Sequence, residues 1–336
     1  MKLLFVGLGG VGQRHLRNCL SLNPCAEIHS FRERGLTFEI SNDLQTDTTT
    51  NIDEKYDITN HTTFMSGISA SPDAVIISNP SSMHFEIFSK CIENKIPCFI
   101  EKPLAVSTDG LPEILSMAQE SNLTTMVGFQ LRFNPVIKEL KRIINDKELG
   151  KILSFRAEVC EYMPGFHPYE DYRNLYCSKK ELGGGVVLTQ IHELDLIIYL
   201  FGTPEKVMAY GGKLSSLDID VEDSVDILMQ KDDFSLSLRM DYLQNPRRRS
   251  GVIYGENDWV EYDLVNLSIE FGSGKKLRWD DFDRNNMFID EMKDFFKSME
   301  ENRESSISIQ EGSKSLYLAE GILKSLNNKE EVEIEY

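Results

Sequence analysis

Residues 1–15 read MKLLFVGLGGVGQRH. Positions 2–6, a Lys followed by an unbroken apolar run, predict a short strand buried on both faces. Gly7, Gly9 and Gly12 follow at once in the spacing G-x-G-x-x-G, and Leu16, Cys19 and Leu20 then recur at helical intervals. Each glycine has a physical task in such a strand-turn-helix unit. Gly7 allows the tight turn, Gly9 offers bare backbone to a pyrophosphate, and Gly12 lets the helix lie close to the strand. The helix N-terminus adds free N–H groups and the positive end of its dipole. Residues 7–12, with Leu8, Gly10 and Val11 between the glycines, therefore read as a dinucleotide cradle rather than an ordinary glycine-rich turn.

Working outward, the next strand is expected at 27–31, and its tip should meet the adenine ribose of a bound dinucleotide. An acid there suits the 2′-hydroxyl of NAD, whereas an Arg suits the 2′-phosphate of NADP. The tip reads S-F-R-E-R, with Arg32 and Arg34 around Glu33, which favours NADP over NAD; the same residues read equally well as charged loop. Residues 40–63 are polar, and the Thr-rich patch at 46–50 reads as a loop or a weak helix end. Buried strands are expected at 73–78, 96–100 and 124–129, with helices at 84–94 and 111–120 between them. That alternation marks an α/β fold with a doubly wound parallel sheet. Ser78, Asn79 and Pro80 end one strand and Glu101 and Lys102 end another, so both turns are expected beside the glycine turn, where such sheets bind ligands.

The pattern then changes. An amphipathic helix at 135–144 leads into alternating stretches at 151–162, 205–213, 222–231, 233–243, 249–255 and 257–264, which predict an antiparallel sheet. Helices are expected at 187–201, 285–301 and 310–326. A chain of 336 residues accommodates two domains, here 1–124 and an α+β domain at 125–336.

Composition narrows the partners. A net charge of −18 opposes binding to nucleic acid, and Arg247, Arg248 and Arg249 form the one dense basic run, expected as a solvated turn or local anion contact. No apolar run is long enough for a bilayer, and the first strand begins at once, so neither a membrane span nor a signal peptide is expected. The six Cys show no metal or disulfide spacing, which fits a reducing cytoplasm.

Two residues are expected to carry chemistry. Lys102, held by Pro103 at a strand end over the cofactor crevice, can hydrogen-bond a reacting oxygen and stabilise charge there; a surface Lys paired with Glu101 is the bland alternative. His192, in GGGVVLTQIHELD at 183–195, suits proton transfer near neutral pH, with Asp195 on the same helical face; a satisfied core histidine is the alternative. H-x-x-D finds no third ligand at a useful spacing, so no metal is expected. The aromatic and polar run at 165–177, with His167, Tyr169, Tyr172 and Arg173, suits a polyhydroxylated ligand as well as an ordinary packed loop.

Together GLGGVG at 7–12, N-P-S-S-x-H at 79–84, E-K-P-L-A at 101–105, G-F-x-x-R-F-N-P at 128–135 and GGG…H-x-x-D resemble the Gfo/Idh/MocA family, the glucose–fructose oxidoreductase and inositol dehydrogenase group. The resemblance implies a Rossmann domain, a C-terminal domain with a large open, mainly antiparallel sheet, and NAD(P)-dependent redox chemistry on sugars, cyclitols or their derivatives. It also implies a homodimer or homotetramer formed through that sheet. By position, Lys102 and His192 would be catalytic, His84 and Glu101 would join the cofactor residues, and Arg132, Asn134, Thr189 and Asp195 would line the substrate site. One departure stands out. Many members place an Asp three or four residues before this His, where the chain has Leu188 and Thr189. That leaves room for a cofactor-binding sensor, or for a lyase or hydrolase that uses bound NAD transiently. The H-E-L-D and H-P-Y-E-D-Y-R stretches are similar to members associated with bacterial surface-sugar synthesis.

Overall fold

The computed structural model describes residues 1–166 and 170–336. Two compact units emerge. The first comprises Met1–Gln130, Glu170 and Asn285–Ser313; the second comprises Leu131–Phe166, Asp171–Arg284 and Lys314–Tyr336.

In the first unit the elements run β1 (Lys2–Val6), α1 (Gly10–Leu22), β2 (Glu27–Phe31), β3 (Phe38–Ile40), β4 (Thr46–Asn51), α2 (Ile52–Lys55), β5 (Thr59–His61), α3 (Phe64–Ser69), β6 (Ala74–Ile77), α4 (His84–Glu93), β7 (Cys98–Glu101), α5 (Leu111–Glu120) and β8 (Thr125–Gly128). Six of these strands form one sheet in the order β5-β2-β1-β6-β7-β8, every neighbouring pair parallel. With the six strands numbered along the chain, that order is 3-2-1-4-5-6, the doubly wound arrangement whose ligand crevice opens at the carboxyl ends beside β1. Leu3, Leu4, Phe5 and Val75 to Ile77 are fully buried, as strands covered on both faces require.

The segment at 40–63 differs from its sequence reading. The Thr patch is strand β4, paired antiparallel with β3, and Thr59–His61 is the sheet's edge strand. Neither strand buries a continuous apolar face, so no alternation marked them. The boundary expected at 124/125 also moves, because β8 completes the first sheet by pairing with β7. The chain later returns to this unit through a long helix at 285–300, which packs against α1. The Val127 N–H donates to Ile307 O at 2.8 Å.

In the second unit the order is α6 (Pro135–Asn145), β9 (Ile152–Cys160), α7 (Val186–Thr189), α8 (His192–Phe201), β10 (Lys206–Gly212), β11 (Ser224–Lys231), β12 (Phe234–Asp241), β13 (Arg248–Gly255), β14 (Trp259–Asp263), β15 (Ser268–Phe271) and β16 (Lys276–Arg278). The returning helix is α9 (Asn285–Glu300), followed by α10 (Ile309–Asn328) and β17 (Val332–Glu333). The nine-stranded sheet runs β16-β15-β14-β13-β9-β12-β11-β10-β17, antiparallel throughout except for the parallel pair β9 and β12. The helix expected at 187–201 is two helices, interrupted at Gln190 and Ile191, so His192 opens α8. Five cysteines are buried, Cys25 is exposed, and none forms a disulfide. Among the described residues, no single helix is long and apolar enough to cross a membrane.

Candidate active site

The glycine turn has the geometry of a phosphate cradle. Gly7 sits at φ +90°, and a Cβ there would lie 2.8 Å from the Asn79 backbone nitrogen. A Cβ on Gly12 would lie 2.5 Å from Gly7 O and 2.6 Å from Ser78 Oγ, so helix and strand touch backbone to backbone. Gly9 is different. A Cβ there would meet nothing within 4 Å, and no side chain caps α1 at this position. The first turn of α1 thus has no side-chain cap, which leaves its N–H groups available to a pyrophosphate. Ser78 Oγ donates to Gly7 O at 2.8 Å and closes the turn against the β6 tip. Beside it, both polar atoms of the Asn79 side chain are buried without a hydrogen-bond partner. Orphaned amide atoms at this position fit a group that arrives with the ligand.

His84 fastens the neighbouring turns. Its Nδ1 lies 2.7 Å from Pro103 O and its Nε2 lies 2.9 Å from Asn79 O. Burial holds this imidazole below its usual titration range, against the opposing pull of the two carbonyls. The ring is thus a brace between the β6 and β7 tips. Lys102 follows β7, half-buried, and its peptide bond to Pro103 is cis. Its backbone N–H donates to Glu101 Oε2 at 3.2 Å, while Glu101 Oε1 lies 2.7 Å from His15 Nε2. The Glu101 carboxylate is therefore turned into the protein.

At the β2 tip, the Arg32 guanidinium binds both oxygens of Asp53 at 2.7 Å and also meets Leu36 O and Asn60 Oδ1. A 2′-phosphate at this position would compete with a carboxylate. Arg34 is exposed and reaches Glu170 at 3.5 Å.

The remaining residues belong to the second unit. Arg132 and Asp195 form a buried two-point ion pair, Nε to Oδ2 at 2.9 Å and Nη2 to Oδ1 at 2.6 Å. Asn134 caps α6, its side chain accepting from the Val136 N–H at 2.9 Å. His192 is buried at the start of α8, and Glu193 beside it binds Arg249 at 2.6 and 2.8 Å. Arg248 pairs with Glu158 and Arg247 with Glu161, so the basic run is matched by acids. Arg173 is an exposed partner of Asp171, and the Tyr172 hydroxyl accepts from the Asp218 N–H. His167 and Tyr169 lie outside the described residues.

Thr189 ends α7 beside the buried Tyr242, among Cys177 and Glu222. Glu222 escaped the sequence reading, although the glycines at 183–185 hint at it. A Cβ on Gly185 (φ +107°) would lie 2.2 Å from its Oε1, which accepts from the Val187 N–H at 3.1 Å. Burial pushes the Glu222 carboxyl up to about 7, with the Val187 N–H pulling the other way. Between the ordinary 4.5 and about 7 the folded chain then binds more protons here than the unfolded chain. This group's contribution must fall as pH rises through that window. Glu222→Gln should abolish a stability loss of up to about 3 kcal/mol between those pH values. Denaturant unfolding of both chains across the window checks this, and parallel curves would refute it.

A dinucleotide-binding α/β unit joined to an open-sheet α+β unit is the class these features define. The chain belongs to the Gfo/Idh/MocA family of oxidoreductases: residues 1–129 match its NAD-binding Rossmann fold and residues 137–261 match its C-terminal domain. It is similar to myo-inositol 2-dehydrogenase of Thermotoga maritima, 24% identical, with 100% of this chain and 99% of that one covered. Over 166 residues it is 30% identical to 2,7-anhydro-N-acetylneuraminate hydratase of Mediterraneibacter gnavus. That match takes in 48% of this chain and spans only 42% of the length of that relative. Levoglucosan dehydrogenase in complex with NADH shares the fold, with a TM-score of 0.84 at 18% identity, 100% of this chain and 99% of that one being covered.

Proposed function

We propose that the chain is an NAD(P)-dependent dehydrogenase or ketoreductase acting on a CH–OH group of a sugar, amino sugar, cyclitol or nucleotide-linked sugar. The observation that carries this reading is the open, uncapped cradle at Gly9, with the orphaned Asn79 amide beside it and Lys102 on the adjoining strand tip. A nicotinamide bound there would supply the hydride acceptor for a carbinol carbon, or the hydride donor for the corresponding carbonyl carbon. Lys102 stabilises negative charge at the reacting oxygen, and His192 exchanges its proton. Leu188 and Thr189 put no acid before His192, so proton handling falls to the lysine and the histidine.

The cofactor is NAD or NADP. Arg32 supports NADP only if a 2′-phosphate outcompetes Asp53. The exposed apolar side chains Leu153, Tyr210, Leu228, Tyr254 and Trp259 on the second unit's sheet support a homodimer or homotetramer. The likeness to a hydratase supports a second reading, in which tightly held cofactor ends each turnover in its starting redox state.

A panel of inositols, aldoses, amino sugars and nucleotide sugars, followed by nicotinamide absorbance with each cofactor, tests the proposal. Net redox change on at least one CH–OH compound is expected. Saturable cofactor binding without redox exchange on any compound would replace it with the sensor reading. Consumption of a sugar with no net redox change would replace it with the second.

A further inference from the structure

Behind the Glu101–Lys102 turn, the first unit buries a cluster that the cofactor reading leaves unused. Its members are His15 on α1, Glu101 at the end of β7 and Glu291 on α9, and one polar atom from each lies within 4.8 Å of the others. His15 and Glu291 are fully buried, and both carboxylate oxygens of Glu291 lack a hydrogen-bond partner. The surroundings are aromatic, with the Phe99 and Phe288 ring centres 4.9 and 6.1 Å from that of His15. Two carboxylates this close in an apolar pocket cannot both hold charge. Glu101 has two donors, the His15 ring and the Lys102 backbone N–H, whereas Glu291 has none.

We propose that Glu291 is a positioning residue: it stays a neutral acid, shares its proton with the Glu101 carboxylate, and so fixes the turn that presents Lys102. This rests on the assignment of Lys102 made above. Burial, reinforced by the Glu101 charge, pushes the Glu291 carboxyl well above the usual carboxylate range. Burial also acts upward on Glu101, but the His15 hydrogen bond, with His15, Lys102 and His84 nearby, leaves Glu101 below that range. The two neighbours are thus driven apart, one neutral and one charged. A divalent cation is the other way to satisfy three such groups. It would separate ligand atoms by about 3 Å or more, given metal–ligand bonds near 2.1 Å. His15 Nε2 and Glu101 Oε1 lie 2.7 Å apart, the spacing of a hydrogen bond.

The test uses the full chain with two substitutions, Glu291→Gln and Glu291→Leu. Gln keeps a neutral donor, so kcat should stay within about twofold of the parent. Leu removes the donor without leaving a buried polar orphan, so its melting temperature should hold or rise while kcat falls about tenfold. KM for the cofactor should hold in both. Infrared difference spectra of parent minus Glu291→Gln, taken at about pH 9 where Glu222 is ionised, should show a protonated-carboxyl C=O band. Absence of that band, a Leu variant with parental kcat, or a stoichiometric divalent metal in the purified chain would overturn the proposal. The infrared band does not depend on turnover. A fully active Lys102→Met variant would therefore defeat the functional reading while leaving the proton on Glu291 measurable.

Discussion

Lys102→Met is expected to lower kcat about a thousandfold, the loss of about 4 kcal/mol that removal of one preorganised charge from a reacting oxygen brings. Met keeps the length and apolar stem of Lys and removes only the ammonium group. The cradle is made of backbone at Gly7 to Gly12 and of Ser78 and Asn79, so it does not depend on this side chain. The dissociation constant for the cofactor should therefore change less than about threefold, which is under 1 kcal/mol. Stopped-flow reduction and fluorescence titration of NADH or NADPH separate the two effects. A variant that turns over like the parent would remove Lys102 from the chemistry. A variant that loses cofactor affinity and turnover together would make it a binding residue instead.

The second large effect sets two glycines against each other. A Cβ on Gly9 meets no protein atom, whereas a Cβ on Gly12 would lie 2.5 Å from a backbone oxygen. Gly9→Val should therefore fold with an unchanged melting temperature but fill the cradle, weakening cofactor binding about a hundredfold, or about 2.7 kcal/mol. Gly12→Ala should push α1 off β1 and reduce stability by about 2 kcal/mol, seen as a melting temperature lower by several degrees. Scanning calorimetry with and without cofactor checks both. If Gly9→Val binds cofactor normally, the phosphates do not approach here. If both variants lose stability equally, the open space at Gly9 is not a binding space.

The fold was legible wherever burial imposes a period on the sequence. Strand β1 and helix α5 fall at the expected positions because a strand covered on both faces is apolar along its buried length and the helix carries an apolar stripe. The hairpin β3–β4 and edge strand β5 were not legible, because their partners are backbone groups and their side chains face largely outward. The break between α7 and α8 was hidden by a sequence that reads as apolar helix throughout.

The site divides in the same way. Spacing marked the glycine turn, since no other residue fits Gly7 or Gly12. Its place at a strand tip marked Arg32, and the family resemblance marked Asp195 and Asn134, as ligand groups. The structure gives Arg32 to Asp53, Asp195 to Arg132, and Asn134 to the first turn of α6. The partners lie 21 and 63 residues apart for the two ion pairs.

By itself, then, the sequence determined the doubly wound sheet, the glycine turn on which it opens, and the family to which both belong. Those depend on local backbone geometry and on the periodicity that burial enforces, and both are written along the chain. Only the tertiary structure decided what each charged side chain is doing. It committed Arg32 to Asp53, turned Glu101 towards His15, and left Glu291 buried without a donor. A charge is spent on whichever opposite charge or proton folding brings near, and that neighbour comes from a distant part of the sequence.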